Sequence, residues 1–244
     1  MGIKENFKNI FEKLTGRKIY KILPFGVDPI ADLTNRFPAY EFKTIFDVGA
    51  NLGQSAIPLS NNFPNARIYS FEPVLVTYNT LKENLKGYKN VETFQIAFGS
   101  KKEELSIVSN EKSDLNTLKS AEKAGNTDTK HVEVIKVDTL AEFCNARNIQ
   151  HINYLKIDTE GYDLEVLKGA TGMLDRSAID FIEVEVGMNN KNKLHVPFED
   201  MKQHMEQHGY FLFGVYEQVQ EWITQQPILR RSNLLFISEI LTRR

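Results

Sequence analysis

The feature that most constrains this chain is the stretch TIFDVGANLGQS, residues 44–55. A short apolar run ends at Asp47, and Gly49, Asn51 and Gly53 then alternate before a helix-like segment. This pattern is typical of a strand, a tight turn and a helix N-terminus where an α/β sheet holds a nucleotide-like ligand. Asn51 can replace a glycine in such a turn, because asparagine tolerates a left-handed backbone better than most residues.

The details of the turn favour a ligand other than a dinucleotide. A dinucleotide fingerprint needs Gly-x-Gly-x-x-Gly, and Gln54 stands where its last glycine would fall. Asp47 at the strand end would repel a pyrophosphate but suits a cationic amino-acid group. We therefore expect a ligand with adenosine at one end and a charged amino acid at the other, as in S-adenosylmethionine (SAM).

A second acid supports this interpretation. An apolar strand precedes Glu72, which lies 19 residues after Gly53. An acid about 20 residues beyond the last loop glycine is the one that hydrogen-bonds the ribose hydroxyls. The plain alternative is a generic βαβ unit with charged strand ends.

Composition limits the other possibilities. A chain of 244 residues with 41% apolar residues suits one α/β domain with some additions. A net charge of −2 gives no reason to expect nucleic acid or an anionic membrane as partner. The single cysteine agrees with a reducing compartment, and no apolar run marks a membrane span or signal peptide. We expect a cytoplasmic protein, and the oligomeric state stays open.

The chain divides into an N-terminal helical extension, residues 1–40, and a domain, residues 41–244. In the extension, Asp28 and Pro29 predict an N-cap and first position for a second helix. The first predicted helix carries an apolar stripe that could lie on a membrane or bind a partner, although packing on its own domain is the commoner outcome. The stripe consists of Ile3, Phe7, Ile10, Phe11 and Leu14.

From Lys43 the chain alternates strand and helix, as a parallel sheet requires. We expect a third strand over 91–98, short strands over 105–108 and 132–137, and helices over 138–147 and 164–174. The polar stretch between the short strands, 109–130, is either a mobile lid or a loop without function, and we favour the lid slightly.

A second informative stretch is YLKIDTEG, residues 154–161. Lys156 and Asp158 share one face of its strand, and Glu183 and Glu185 share one face of the next strand, 179–186. Parallel strands bring such carboxylates to the C-terminal edge, where α/β sheets bind ligands. The alternative is that Lys156 simply pairs with Glu183 across the strands.

These motifs together resemble the FkbM family of SAM-dependent methyltransferases. The resemblance covers residues 44–186 and rests on DVGANLGQS, FEP, IAFGS, KIDTEGYDLEVLKGA and EVEV in that order. It implies the class I methyltransferase fold, a seven-stranded, mostly parallel, Rossmann-like sheet whose last strand is antiparallel. It also implies O-methylation of a hydroxyl on a sugar, glycan or secondary metabolite.

The resemblance further implies roles for individual residues. It puts the turn around the methionine part of SAM, Asp47 at its amino group, Glu72 at the ribose, and Ala97 and Phe98 near the adenine. The predicted cofactor-binding residues are Asp47, Gly49, Asn51, Gly53, Gln54, Ser55, Glu72, Pro73, Ala97 and Phe98.

Removing the proton of an acceptor hydroxyl requires a base or a divalent metal. The predicted catalytic residues are Asp158, Glu160, Glu185 and His195. We do not favour a metal, because only Asp158 and Glu185 are plausibly placed and neither has an obvious third partner. Two rivals remain: a nucleotide-binding module without catalysis, and an NAD-dependent oxidoreductase, against which the missing glycine argues.

Overall fold

The computed structural model describes residues 3–109 and 131–243, and the chain divides into two compact units, 1–38 and 39–244. The first unit contains α1 (Ile3–Thr15) and α2 (Pro29–Arg36). The side chain of Asp28 accepts hydrogen bonds from the backbone N–H groups of Ile30 and Ala31, so the predicted N-cap is confirmed. The apolar stripe of α1 is exposed at each residue whose side chain is described: Phe7 72%, Ile10 58%, Phe11 38% and Leu14 81%.

The second unit is built on a seven-stranded sheet that confirms the predicted fold class. Its strands are β1 (Thr44–Val48), β2 (Arg67–Phe71), β3 (Val91–Phe94), β7 (Ile152–Ile157), β8 (Ile179–Gly187), β9 (Tyr210–Gln220) and β10 (Leu229–Ser238). Their order across the sheet is β3-β2-β1-β7-β8-β10-β9. β10, the last strand of the chain, runs antiparallel to both neighbours, while β1, β2, β3, β7 and β8 pair in parallel.

The strand order reverses at β1, which has β2 on one side and β7 on the other. Ligands of open α/β sheets bind at such a reversal, beyond the carboxyl ends of the strands. Every residue of β8 is buried, as a strand in the centre of a two-sided sheet requires. The carboxyl ends of β1, β7 and β8 are therefore where charged residues of these strands can reach a ligand.

The predicted third strand over 91–98 is wrong in one respect, because it splits in two. Residues 91–94 pair with β2, whereas β4 (Ala97–Phe98) pairs with β6 (His131–Asp138) in a separate sheet of order β4-β6-β5. β2 ends at Phe71, so a strand beyond Phe94 has no neighbour in the main sheet. β5 (Glu103–Ser109) and β6 confirm the two short strands, which are three and two residues longer than predicted.

The predicted helix over 164–174 is also interrupted. It forms two short helices, α6 (Asp163–Lys168) and α7 (Thr171–Asp175). At the junction a Cβ on Gly169 would lie 2.0 Å from the carbonyl oxygen of Gly99, so the backbone there passes too close for any side chain. The other helices are α3 (Ala56–Asn62), α4 (Leu75–Asn84), α5 (Leu140–Ala146), α8 (Phe198–Gln207) and α9 (Glu239–Thr242).

The predicted lid lies, apart from Ser109, outside the described residues. Within those residues, no helix is long and apolar enough to cross a membrane.

Candidate active site

The glycine turn follows β1 and is joined by hydrogen bonds to the end of β2. The backbone N–H groups of Gly49 and Ala50 donate to the carbonyl oxygen of Phe71 at 3.0 and 2.9 Å, and the N–H of Asn51 donates to Oε2 of Glu72 at 3.2 Å. Gly49 and Asn51 have φ angles of 84° and 47°. The left-handed backbone predicted for Asn51 is therefore confirmed.

The turn also packs against the end of β7. A Cβ on Gly49 would lie 1.9 Å from the carbonyl oxygen of Asp158, a distance no side chain can occupy. The N–H of Asp158 in turn donates to the carbonyl oxygen of Val48 at 2.9 Å. Glycine at position 49 thus lets the turn approach the residue that follows β7.

Asp47 is a buried acid at the end of β1. Its exposed fraction is 0%, and neither carboxylate oxygen has a hydrogen-bond partner within the described residues. Burial raises the pKa of Asp47 to about 6, although the nearby Lys156 acts in the opposite direction. A buried carboxylate is costly unless it is paired, so this position suits a cationic group supplied by a ligand.

Glu72 stands at the end of β2 and is held by two backbone donors. Its Oε1 accepts from the N–H of Val74 at 3.0 Å, and its Oε2 accepts from Asn51. Burial raises the pKa of Glu72 to about 7 despite these two bonds. Its carboxylate is thus fixed beside the turn, as a group that binds ribose hydroxyls needs to be.

Three further predicted cofactor residues, Gln54, Ser55 and Pro73, each have different contacts. Gln54 accepts a bond from the N–H of Leu52 at 3.1 Å, and Ser55 precedes α3 without a side-chain cap bond. The carbonyl oxygen of Pro73 accepts from the side chain of Gln95 at 3.4 Å.

The two residues predicted near the adenine are both buried. The ring of Phe98 lies in the core, with its centroid 4.7 Å from that of Phe71 and 5.5 Å from that of Phe143. Ala97 packs in a cluster that includes Val74 and Val137. The Phe98 side chain is 1% exposed, so it offers no open face for stacking, and the adenine role of both residues stays a prediction.

A row of charged side chains crosses β1, β7 and β8 at this edge. The strand register aligns Asp47 with Lys156 and Lys156 with Glu183. Lys156 Nζ forms an ion pair with Asp158 Oδ2 at 2.9 Å. Within the described residues it forms no ion pair with Glu183, its neighbour across the strands in the predicted alternative. Burial alone would lower the pKa of Lys156, but the carboxylates of Asp158, Glu183 and Asp47 raise it above its usual range.

Glu183 has other partners. Its carboxylate accepts hydrogen bonds from the hydroxyl of Tyr154 and from the side chain of Asn233, the latter at 3.1 Å. It is therefore committed to a buried polar network inside the sheet.

Three of the four predicted catalytic residues meet. Glu160 comes from the loop after β7, Glu185 from β8 and His195 from the segment after β8. His195 Nε2 lies 2.5 Å from Glu185 Oε2 and 3.5 Å from Glu160 Oε2. The structure keeps Asp158 in its pair with Lys156, outside the ion pairs of this group. We call Glu160, Glu185 and His195 the Glu–Glu–His cluster.

The Glu–Glu–His cluster is largely buried. The side chains of His195 and Glu185 are 3% and 6% exposed, and that of Glu160 is 21% exposed. Burial alone would lower the pKa of His195, but the two carboxylates raise it to about 9. A histidine after a strand is commonly a surface residue, so its burial here is a finding of the tertiary structure.

Three residues that the sequence analysis did not single out hold the cluster in place. The guanidinium of Arg231, on β10, contacts Oε1 of Glu185, and the Asn192 side chain faces Nδ1 of His195. The Asp163 carboxylate accepts from the N–H groups of Gly161 and Thr159 at 3.0 and 3.4 Å and so shapes the loop that carries Glu160. Asp163 could have been suspected as a short acid just after the glycine of EGYD, whereas nothing local signals Arg231.

The strand order, the glycine turn after β1 and the acid after β2 together define the class I fold of SAM-dependent methyltransferases. Residues 47–212 match the family model described as the methyltransferase FkbM domain. This match covers more than half of the chain, and the chain belongs to that family.

The sequence identity to two individual relatives is 28% and 29%. The chain is 28% identical over 155 residues to the hexuronic acid methyltransferase AglP of Haloferax volcanii, a match that covers 63% of this chain and 61% of that protein. It is 29% identical over 185 residues to methyltransferase sdnD of Sordaria araneosa, which covers 64% of this chain and 70% of that protein. The chain therefore spans about three fifths of the length of AglP.

Among solved structures, the METTL16 MTase domain superposes with a TM-score of 0.50. The alignment covers 95% of this chain and 77% of that chain at 10% sequence identity. At that identity the likeness shows the fold alone.

Proposed function

We propose that this chain is a SAM-dependent methyltransferase that methylates an oxygen, in particular a hydroxyl, of a sugar, glycan or secondary metabolite. The observation that carries the proposal is the buried carboxylate of Asp47, which has no hydrogen-bond partner in the described part of the chain and lies beside the glycine turn and Glu72. Membership of the FkbM family supports it, as does the similarity to a hexuronic acid methyltransferase.

In this proposal the chain's own residues bind and orient the cofactor. Asp47 takes the ammonium group, Glu72 the ribose hydroxyls, and the turn 49–53 surrounds the methionine part. Gln54, Ser55, Pro73, Ala97 and Phe98 remain proposed neighbours of the cofactor. SAM supplies a methyl group on a sulfonium, which is already a good leaving group.

The proposed acceptor site lies at the same edge of the sheet. As the new oxygen–methyl bond forms and the methyl–sulfur bond breaks, the hydroxyl proton must pass to a base. We propose that the acceptor binds at the Glu–Glu–His cluster, with Asp158, which follows the neighbouring strand β7, beside it. Its ion pair with Lys156 keeps Asp158 oriented at the end of β7.

The rival functions are weaker. An NAD-dependent oxidoreductase would need the dinucleotide glycine that Gln54 replaces. A silent binding module would bind SAM without turnover, and only an activity measurement separates it from the enzyme. A reducing, cytoplasmic location and the absence of a nucleic-acid partner belong to the proposal as well, supported by the free, buried Cys144 and the net charge of −2.

The cofactor site is tested by calorimetry with SAM, S-adenosylhomocysteine and NAD. We expect the first two to bind and NAD not to bind. Glu72→Ala removes a charged acceptor from the ribose, which should lower SAM affinity at least about tenfold. Glu92→Ala is the matched control, because Glu92 is an exposed glutamate on β3 that pairs only with Arg67 among the ion pairs of the described residues. Equal SAM affinity in folded Glu72→Ala protein would remove Glu72 from the site.

The reaction is tested by incubating the protein with SAM and a panel of hydroxylated sugars, uronic acids and secondary metabolites. Mass spectrometry should show one added methyl group per acceptor, and fragmentation should place it on oxygen. Methylation on nitrogen or carbon alone would contradict the O-methyltransferase proposal. SAM binding without any methylated product across the panel would favour the binding module.

A further inference from the structure

The Glu–Glu–His cluster has the composition and spacing of a metal site. One imidazole nitrogen and two carboxylate oxygens lie within 4.8 Å of one another. Ligand atoms about 2.0–2.2 Å from one ion are separated by at most about twice that distance. His195 Nε2 lies 2.5 Å from Glu185 Oε2 and 3.5 Å from Glu160 Oε2, so both carboxylate oxygens are close enough to share one ion with it. We propose that Glu160, Glu185 and His195 bind a divalent transition-metal ion.

The three ligands come from separate parts of the chain and converge on one point. Glu160 has a φ of 51°, a left-handed conformation that is uncommon outside glycine, asparagine and aspartate. Asp163 stabilises this loop through the N–H groups on either side of Glu160. A strained residue held in place by neighbouring bonds is typical of functional sites.

The outer contacts of the cluster are those that metal ligands usually make. Arg231 occupies Oε1 of Glu185 and leaves Oε2 directed at His195. Nδ1 of His195 lies 3.2 Å from Oδ1 and 2.8 Å from Nδ2 of Asn192. When Nδ1 donates to Oδ1, the lone pair of Nε2 is available to an ion, and such a second contact orients a metal-bound imidazole.

Asn192 is itself fixed by the backbone. Its Oδ1 accepts from the N–H groups of Leu194 and His195 at 3.1 and 3.2 Å, and its Nδ2 donates to the carbonyl oxygen of Arg230 at 3.0 Å. The imidazole therefore faces the carboxylates in a preset orientation. A preset ligand loses little conformational freedom when an ion binds.

Charge and ligand type narrow the choice of ion. Two carboxylates against the single guanidinium of Arg231 leave the surroundings of a cation net negative. Imidazole is a ligand for Mn²⁺, Fe²⁺, Co²⁺ or Zn²⁺ rather than for Ca²⁺ or Mg²⁺, which prefer oxygen alone. Binding of the ion does not depend on the proposed function. Only the role of the ion rests on that function: the ion binds the acceptor oxygen and positions it.

The test measures metal binding directly, on the full chain without SAM or acceptor. Mn²⁺ is titrated in, and free Mn²⁺ is followed by electron paramagnetic resonance, with Zn²⁺ as competitor. We expect one ion per chain, and affinity lower by about 10–100-fold in His195→Ala and Glu160→Gln. His204→Ala is the matched control: a half-buried histidine on α8 whose ring packs on that of His208.

The outcomes separate this inference from the proposed function. Absence of a stoichiometric site for Mn²⁺ and Zn²⁺, or equal affinity in His195→Ala and wild type, would overturn the metal site. Glu160→Gln keeps the test decisive if His195→Ala does not fold, because Glu160 is the most exposed of the three ligands. SAM binding by calorimetry is independent of these results, so failure of the metal site leaves the methyltransferase proposal intact.

Discussion

At the scale of single residues, Asp47 shows how binding competes with stability. Its carboxylate is buried without a hydrogen-bond partner within the described residues, and its pKa is raised from 3.8 to about 6. Between these two values the folded protein retains a proton that the unfolded chain has released. The free energy of unfolding therefore falls as pH rises through this window.

We expect Asp47→Asn to stabilise the protein above pH 6 by roughly 1–3 kcal/mol, because the buried charge is removed. The gain should shrink towards pH 4, where the wild-type carboxyl is also neutral. Urea unfolding at pH 4, 6 and 8 measures this difference, with Glu41→Gln as an exposed control. A stability difference independent of pH would contradict the assignment, and SAM affinity should fall in the same variant.

At the scale of elements, the turn between β1 and α3 depends on the close approach of Gly49 to Asp158. The turn is joined to β2 through Phe71 and Glu72 and to β7 through this contact. The turn therefore contacts three strands, although one short stretch of sequence was enough to predict it.

Gly49→Ala should destabilise the protein by roughly 2–4 kcal/mol, because its Cβ would lie 1.9 Å from a carbonyl oxygen at a φ of 84°. The displaced turn should also weaken SAM binding. Gly87→Ala is the matched control, since nothing lies within 4 Å of a Cβ there and its φ is not positive. Thermal unfolding and calorimetry measure both effects, and equal behaviour of the two variants would show that the turn tolerates a side chain.

At the scale of the whole molecule, the first unit carries apolar residues that the structure leaves exposed. Phe7 and Leu14 are 72% and 81% exposed on α1, whereas Leu33 on α2 is fully buried. Within residues 1–38, apolar side chains are thus exposed on α1 and buried on α2.

We expect the double substitution Phe7→Ser and Leu14→Ser to change the free energy of unfolding by less than about 0.5 kcal/mol, because exposed side chains lose little on replacement. Leu33→Ala, in the same unit, should cost about 2–5 kcal/mol. Urea unfolding measures both. A large loss for the double variant would show that the α1 stripe is covered in solution.

What the sequence by itself determined is local in origin. The glycine turn, the acid at the end of β2, the N-cap at Asp28 and the alternation of strand and helix are set by residues within one or two elements. Backbone preference, capping and hydrophobic period act over such distances. These features were sufficient to predict a parallel α/β sheet and the group formed by Asp47, the turn and Glu72, whereas the class I fold was implied by the resemblance to the FkbM family.

What only the tertiary structure decided depends on contacts between distant segments. Strand pairing splits residues 91–98 because β2 ends at Phe71, and the predicted helix breaks near Gly169, whose backbone passes close to that of Gly99. Asp158, which the sequence placed together with Glu185, pairs with Lys156, whereas His195 lies beside Glu160 and Glu185. Such convergence has no period or local signal, because it arises from packing that no single stretch contains.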